Sequence, residues 1–256
     1  MIKNLLIILF CCFVMQNASA QRMKGAIKRK TAEAAFSYQN GVYDGKYWAV
    51  GASTHYMWGI GRNRQRFSIG IGLRQFNFFG KQREYQTSDQ TLVSQLKGGT
   101  DSLYFDKINS IMLNSYLALQ VHIKRGIDFG LNLDLGGITF GGTKQAYFHS
   151  YELTSTSPEP YKKVFTQPFA FNFNPVPMAW KGGYGSSCNE AYFQFNGGKI
   201  MRYRLGFNYF VNETNTKIVI TGNGTRFKTE NYLVTGTIVW NLRHNQAKYD
   251  LWNMNK

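Results

Sequence analysis

From Ile111 to Ile123 the chain alternates, with Ile111, Leu113, Ser115, Leu117, Leu119, Val121 and Ile123 on one parity and Met112, Asn114, Tyr116, Ala118, Gln120 and His122 on the other. Successive side chains of a strand point to opposite faces, so this period predicts a β-strand with one oily and one largely polar face. The pattern resumes at Ile127, where Ile127, Phe129, Leu131, Leu133 and Leu135 alternate with Asp128, Gly130, Asn132, Asp134 and Gly136. Lys124-Arg125-Gly126 between the two runs is a tight polar turn, which makes them a hairpin. Two further runs behave alike. Met201, Tyr203, Leu205, Phe207, Tyr209 and Val211 oppose Arg202, Arg204, Gly206 and Asn208, and Tyr232, Val234, Ile238, Trp240 and Leu242 oppose Thr235, Thr237, Asn241 and Arg243. Weaker strands are predicted over Ala32 to Tyr38, Lys46 to Gly59, Arg66 to Phe78 and Asn189 to Asn196, giving eight, with ten as the alternative.

The connections alternate in length. Short turns are predicted at Ile60 to Gln65, Lys124 to Gly126 and Gly197 to Lys199, and long loops at Gln39 to Gly45, Gly80 to Lys107, Gly141 to Cys188 and Asn212 to Lys228. Strands of roughly 10 residues or more, an even strand number, and short turns facing long loops form the pattern of outer-membrane barrels. A soluble sandwich or lipocalin-like cup would turn its apolar side inward and set Lys and Glu outside. Here the polar face carries Gly, Asn, Asp and Arg. Tyr47, Trp48, Tyr56, Trp58, Phe76, Phe78, Tyr209, Tyr232 and Trp240 lie near strand ends, as interfacial girdles require. The expectation is an all-β, transmembrane, antiparallel up-and-down barrel over residues 32–243.

The rest of the chain changes this picture little. Lys3, the apolar run Leu5 to Met15 and Ala18-Ser19-Ala20 read as a signal peptide over residues 1–20, cleaved after Ala20. Residues 21–31 form a basic periplasmic segment with Arg22, Lys24, Lys28, Arg29 and Lys30, and 244–256 a periplasmic tail. Only Cys188 then remains, so an intrachain disulfide is excluded; its position, where the longest loop re-enters the barrel, predicts access from outside. The net charge of +16 would suit nucleic acid, but export directs it instead toward lipopolysaccharide phosphates and anionic lipid.

The Ala-Ser-Ala junction followed by Gln21, the segment Asp101-Ser102-Leu103-Tyr104-Phe105, and Asn132 to Gly142 resemble the small outer-membrane barrel families of Bacteroidota. The resemblance implies the barrel fold but no activity. Outer-membrane barrels of this size that modify lipid A use a His with a Ser and a carboxylate, and His149, Ser150 and Glu152 occur together in the third long loop. They are weak catalytic candidates, because neighbours in a strand diverge and ordinary loop polarity explains them. No metal-binding spacing or cofactor motif is present.

Arg66, Arg74, Arg202 and Arg204 fall on the lumen side with Asp128 and Asp134. An eight-stranded bore holds only side chains, so these charges are expected to pair across it and fill it. Equal distances from strand starts predict Arg202 level with Asp128, and Arg204 near Asp134. The functional expectation is a monomeric, non-enzymatic integral outer-membrane protein with a structural or interaction role. Its outer loops would meet lipopolysaccharide, a surface protein or a ligand. The alternatives are a lipid A-modifying enzyme and a narrow pore.

Overall fold

The structure is a computed structural model and describes residues 28–42, 46–60, 67–88, 101–124, 126–149, 161–173, 183–196, 201–217 and 225–246. The expected signal peptide, its cleavage site, the short turns at 61–66 and 197–200 and most of the expected tail lie outside them. All regular structure among the described residues is β-strand: β1 Lys28–Gly41, β2 Tyr47–Ile60, β3 Phe67–Thr87, β4 Ser102–Lys124, β5 Ile127–Phe140, β6 Lys144–His149, β7 Tyr161–Pro168, β8 Phe171–Phe173, β9 Ser187–Asn196, β10 Met201–Thr216 and β11 Arg226–Gln246.

Eight of these close a ring. Each of β1, β2, β3, β4, β5, β9, β10 and β11 pairs antiparallel with the next, and β11 returns to β1 from Ala32↔Arg243 to Gly41↔Leu233. All eight predicted strands are present, and the ring decides for eight over ten. Its ends lie beyond the expected limits: Lys28, Arg29 and Lys30 open β1 instead of belonging to a tail, and β11 runs on to Gln246.

A second ring stands on the first. β3, β4 and β11 run 21, 23 and 21 residues, against 14 for β1, β2 and β5. Where β1, β2, β5 and β9 stop pairing, the long strands continue upward with the hairpin β6–β7. β4 pairs β6, β6 pairs β7, β7 pairs β10, and β11 crosses to β3 at Phe227↔Thr87 and Lys228↔Gln86. The wall therefore narrows from eight strands to a closed collar of six. This corrects the long loops expected at 80–107, 141–188 and 212–228, large parts of which are strand. The Phe165 to Phe173 segment, inside the expected 141–188 loop, is built into the wall. Phe165 lies in β7, while Phe171 and Phe173 lie in β8, which replaces β9 beside β5 at Gly136–Ile138.

The collar's inward faces are set by a change of parity. In the lower part of β3 and β4 the buried residues include Gly70, Arg74, Phe76 and Phe78, with Ile108, Ser110 and Met112 opposite; in the collar they are Tyr85 and Thr87 with Leu103 and Phe105. Both strands switch at the level of Gln82, whose φ of 50° is the one positive value among described non-glycine residues. A local left-handed residue adds the twist that re-aims a strand.

Outside, Ile71, Leu73, Leu113, Phe193, Phe207, Val234 and Ile238 form an exposed apolar band. Trp48 stacks on Phe79 at 4.3 Å and on Tyr38 at 6.4 Å at its upper edge, and Tyr56 meets Trp58 at 4.9 Å at the lower. Tyr47, Phe76 and Phe78, expected in the girdles, are buried inside, because alternation with outward Leu73 and Trp48 governs their direction whatever their residue type.

Two Tyr-over-Gly contacts pin the narrow interior. Tyr116 lies across Gly72 and Tyr192 across Gly130, where an added Cβ would sit 2.4 and 2.2 Å from the ring carbons. Glycine lets the ring pack against bare backbone. Gly130→Ala should cost about 1–3 kcal/mol in a urea titration of the refolded protein, and Tyr192→Leu should recover part of the loss.

Candidate functional site in the barrel lumen

The side chains that could carry chemistry converge inside the ring, delivered there by alternation. Glu33 from β1, His55 from β2, Arg74 from β3, Tyr116 from β4, Asp128 and Asp134 from β5, Glu190, Tyr192 and Gln194 from β9, and Arg202 and Arg204 from β10 are all buried or nearly so.

Glu33 is the hub of the lower layer. Its Oε1 accepts from Arg202 Nη1 at 2.7 Å, and its Oε2 lies 3.4 Å from Arg204 Nη2 and 3.1 Å from His55 Nε2. Arg204 also donates to Gln194 Oε1 from Nε at 3.0 Å and Nη2 at 2.7 Å, and its guanidinium lies 3.9 Å from the centre of the Tyr192 ring. His55 Nδ1 shares a hydrogen bond of 3.1 Å with Tyr116 Oη. A carboxylate serving two guanidinium groups is fixed by three elements at once.

Asp134 is the hub of the upper layer. It accepts from Arg74 Nη2, from Asn114 Nδ2 at 2.8 Å and from the Cys188 backbone N–H at 2.8 Å. Arg74 Nη1 lies 3.7 Å from Glu190, to which Asn132 Nδ2 donates at 2.7 Å. Asp128 sits lower, bound by Gln120 at 2.8 Å and His122 at 2.6 Å.

The expected partners are therefore exchanged. Arg202 meets Glu33 rather than Asp128, and Asp134 meets Arg74 rather than Arg204. The ladder explains why: Asp128 pairs Gln194, which pairs Arg204, while Arg202 stands beside Asn196 one step lower. Register in a closed barrel is staggered from strand to strand, so equal counts from strand starts do not mark equal depth. Arg66 lies outside the described residues. The two carboxylates missing from the sequence reading, Glu33 and Glu190, were legible in principle, since Glu33 alternates with outward Phe36 and Tyr38, and Glu190 with outward Phe193.

Above the charges the bore is closed by apolar packing. Phe210 contacts Phe76 and Phe78 at centroid distances of 4.7 and 4.8 Å, and Tyr85, Phe105, Leu103, Phe148, Val164 and Phe227 continue the same cluster into the collar. Cys188 belongs to this cluster and is wholly buried, which corrects its expected exposure: it is an inward-facing residue of β9, opposite Phe210 of β10. Its thiol should stay unreactive toward Ellman's reagent in the folded protein and become fully reactive in denaturant.

Of the proposed His149, Ser150 and Glu152 group, only His149 is described. It ends β6, paired with Ser102 and Tyr161. Among the described residues no group of His, Cys, Asp and Glu could hold a metal ion.

No family model and no curated protein matches the chain. Solved structures similar to it include outer-membrane β-barrel proteins. Ail, the attachment invasion locus protein of Yersinia pestis, in complex with the heparin analogue sucrose octasulfate, is 8% identical with a TM-score of 0.31, covering 83% of this chain and 99% of its own. Neisserial surface protein A is 11% identical with a TM-score of 0.28, covering 82% and 94%. The Ralstonia pickettii toluene transporter TbuX is 8% identical with a TM-score of 0.24, covering 91% and 93%. At TM-scores of this size the architecture of this chain rests on its own closed strand pairing, an all-β antiparallel barrel of eight strands.

Proposed function

We propose that this chain is a non-enzymatic integral outer-membrane protein whose barrel spans the bilayer and whose collar carries a structural or interaction role at the cell surface. One observation carries the reading: the faces are inverted. Ile71, Leu73, Phe207 and Val234 point outward around a closed ring, while Glu33, Arg74, Asp134 and Arg204 are buried within it. Water would reward the opposite arrangement, and a hydrocarbon surround rewards this one. A ring without free edges also satisfies its own backbone, which supports a monomer.

On this reading the signal peptide is removed after Ala20, and both termini lie in the periplasm. The Lys124–Ile127 hairpin shares that side, and the collar stands outside among lipopolysaccharide, as expected for the Bacteroidota-type barrels the sequence resembles. Buried ion pairs below and packed aromatics above favour a filled bore over a pore.

The test is refolding of the mature protein into liposomes. Leu73, midway between the two aromatic edges on β3, should lose about 2–4 kcal/mol as Leu73→Arg. Gln145→Arg, on the outer face of the collar, should change stability by less than about 0.5 kcal/mol. Equal small effects at both positions would sink the membrane topology, and stable channels in a planar bilayer would sink the filled lumen.

A further inference from the structure

Three lysines stand in one row on the outside of the barrel. Lys81 and Lys107 are directly opposed across β3 and β4, and Lys46, at the start of β2, accepts the Lys81 backbone N–H at 2.9 Å. All three are exposed and on the outward face, as their ladder neighbours Tyr47, Gly80 and Ile108 point in. One same-face step below them, about 7 Å along a strand, lies the row Trp48, Phe79 and Asn109, where the apolar band ends.

Like charges directly opposed across a strand pair destabilise it. Asp106 and Glu84 are exposed nearby, yet neither forms an ion pair with Lys81 or Lys107 among the described residues. Continued along the same row onto β1, β11 and β10, the outward residues are Val42, Tyr232 and Tyr209, so the positive charge is confined to one side. A bilayer whose hydrocarbon ends at Trp48 and Phe79 places its phosphates at the height of these ammonium groups.

We propose that Lys46, Lys81 and Lys107 form a binding site for the phosphate group of an outer-leaflet lipid, one headgroup phosphate bridging β3 and β4. The inference rests on the membrane reading above and adds to it a ligand and an address. Bridging by an anion turns an opposed Lys–Lys pair into a favourable contact, and the flat indole of Trp48 beneath it supports the glycerol or sugar that carries the phosphate.

The test uses the mature chain with Trp58, Trp180, Trp240 and Trp252 replaced by Phe, so that Trp48 alone reports. It is refolded into phosphatidylcholine vesicles holding a small fraction of brominated phosphatidic acid, a phosphate monoester, or the same fraction of brominated phosphatidylcholine. Quenching by phosphatidic acid should correspond to roughly tenfold local enrichment, the order expected for two lysines facing an anionic lipid. Lys81→Gln/Lys107→Gln should abolish the excess without altering quenching by phosphatidylcholine, and Lys81→Arg/Lys107→Arg should keep it. Native mass spectrometry of the wild-type chain, counting the two lipids retained, reads the same preference with every tryptophan in place. Equal quenching by both lipids, or an excess that survives the glutamine pair, overturns the site. Loss of the excess on adding millimolar inorganic phosphate overturns the lipid source. Quenching by neither lipid shows instead that the barrel has not entered the bilayer, and then the membrane reading itself fails.

Discussion

Glu33→Ala should lower the folding free energy by about 3–5 kcal/mol, the cost of leaving buried cations without their counter-charge. The size follows from what the carboxylate holds: Arg202 and Arg204 both donate to it, and His55 lies 3.1 Å away. Neither guanidinium can turn to water, since both are about 2% exposed. Glu33→Gln keeps an acceptor at the same place and should lose less. Adding Arg202→Met to Glu33→Ala should recover part of the loss by removing one of the orphaned charges. Urea titration in liposomes, followed by tryptophan fluorescence, measures each variant. A loss below about 1 kcal/mol for Glu33→Ala would mean that the layer is hydrated and open, and the filled lumen would go with it.

Asp134→Ala should cost about 3–5 kcal/mol, because it leaves Arg74 with only the more distant Glu190 as counter-charge and deprives the Cys188 N–H and the Asn114 amide of this acceptor. The partner is the sharper part of the prediction. A double-mutant cycle between Asp134 and Arg74 should return a coupling of about 1–3 kcal/mol, whereas one between Asp134 and Arg204 should return less than about 0.5 kcal/mol. Strong coupling to Arg204 would mean that the register between β5, β9 and β10 differs from the one described.

The eight-stranded part of the fold was legible because its two faces meet different surroundings. Wherever a strand shows the exposed apolar band on one side and the packed polar bore on the other, period two follows, and Ile111–Ile123 and Met201–Val211 state it plainly. The collar was hidden for the same reason. In the collar the inward face of β6 and β7 carries only Ala146, Phe148 and Val164 as apolar core residues, and the outward face mixes Gln145 and Lys163 with Phe165, so Lys144–His149 and Tyr161–Pro168 show too few alternating positions to read as strand. Parity also breaks at Gln82, so extrapolating the lower strand would set Tyr85 and Phe105 on the wrong face.

The lumen residues were legible one at a time, but their partners were not. Alternation says that Arg74, Arg202, Arg204, Asp128 and Asp134 face inward; it does not carry the stagger that decides which of them share a depth. Glu33 and Glu190 lie in weakly patterned strands, where a lone acid resembles ordinary surface polarity. Each is recoverable from its outward neighbours once β1 and β9 are accepted as strands.

The collar also fixes an order of events. Its last seam joins Thr87 to Phe227, residues from opposite halves of the chain, and the entropy of bringing them together is recovered only when β10 and β11 are already in place. The tip of the β3–β4 hairpin, paired within itself up to Gln86↔Ser102, must then wait with the outer edge of β3 open until the last hairpin closes it. Once closed, the seam reverses the dependence: the tips are continuations of the strands of the eight-stranded wall, so loosening of the outer ring is tied to the wall beneath it. Amides at Gln86, Thr87, Phe227 and Lys228 should accordingly exchange with solvent only when the barrel as a whole comes apart, as late as those in the middle of the eight-stranded wall.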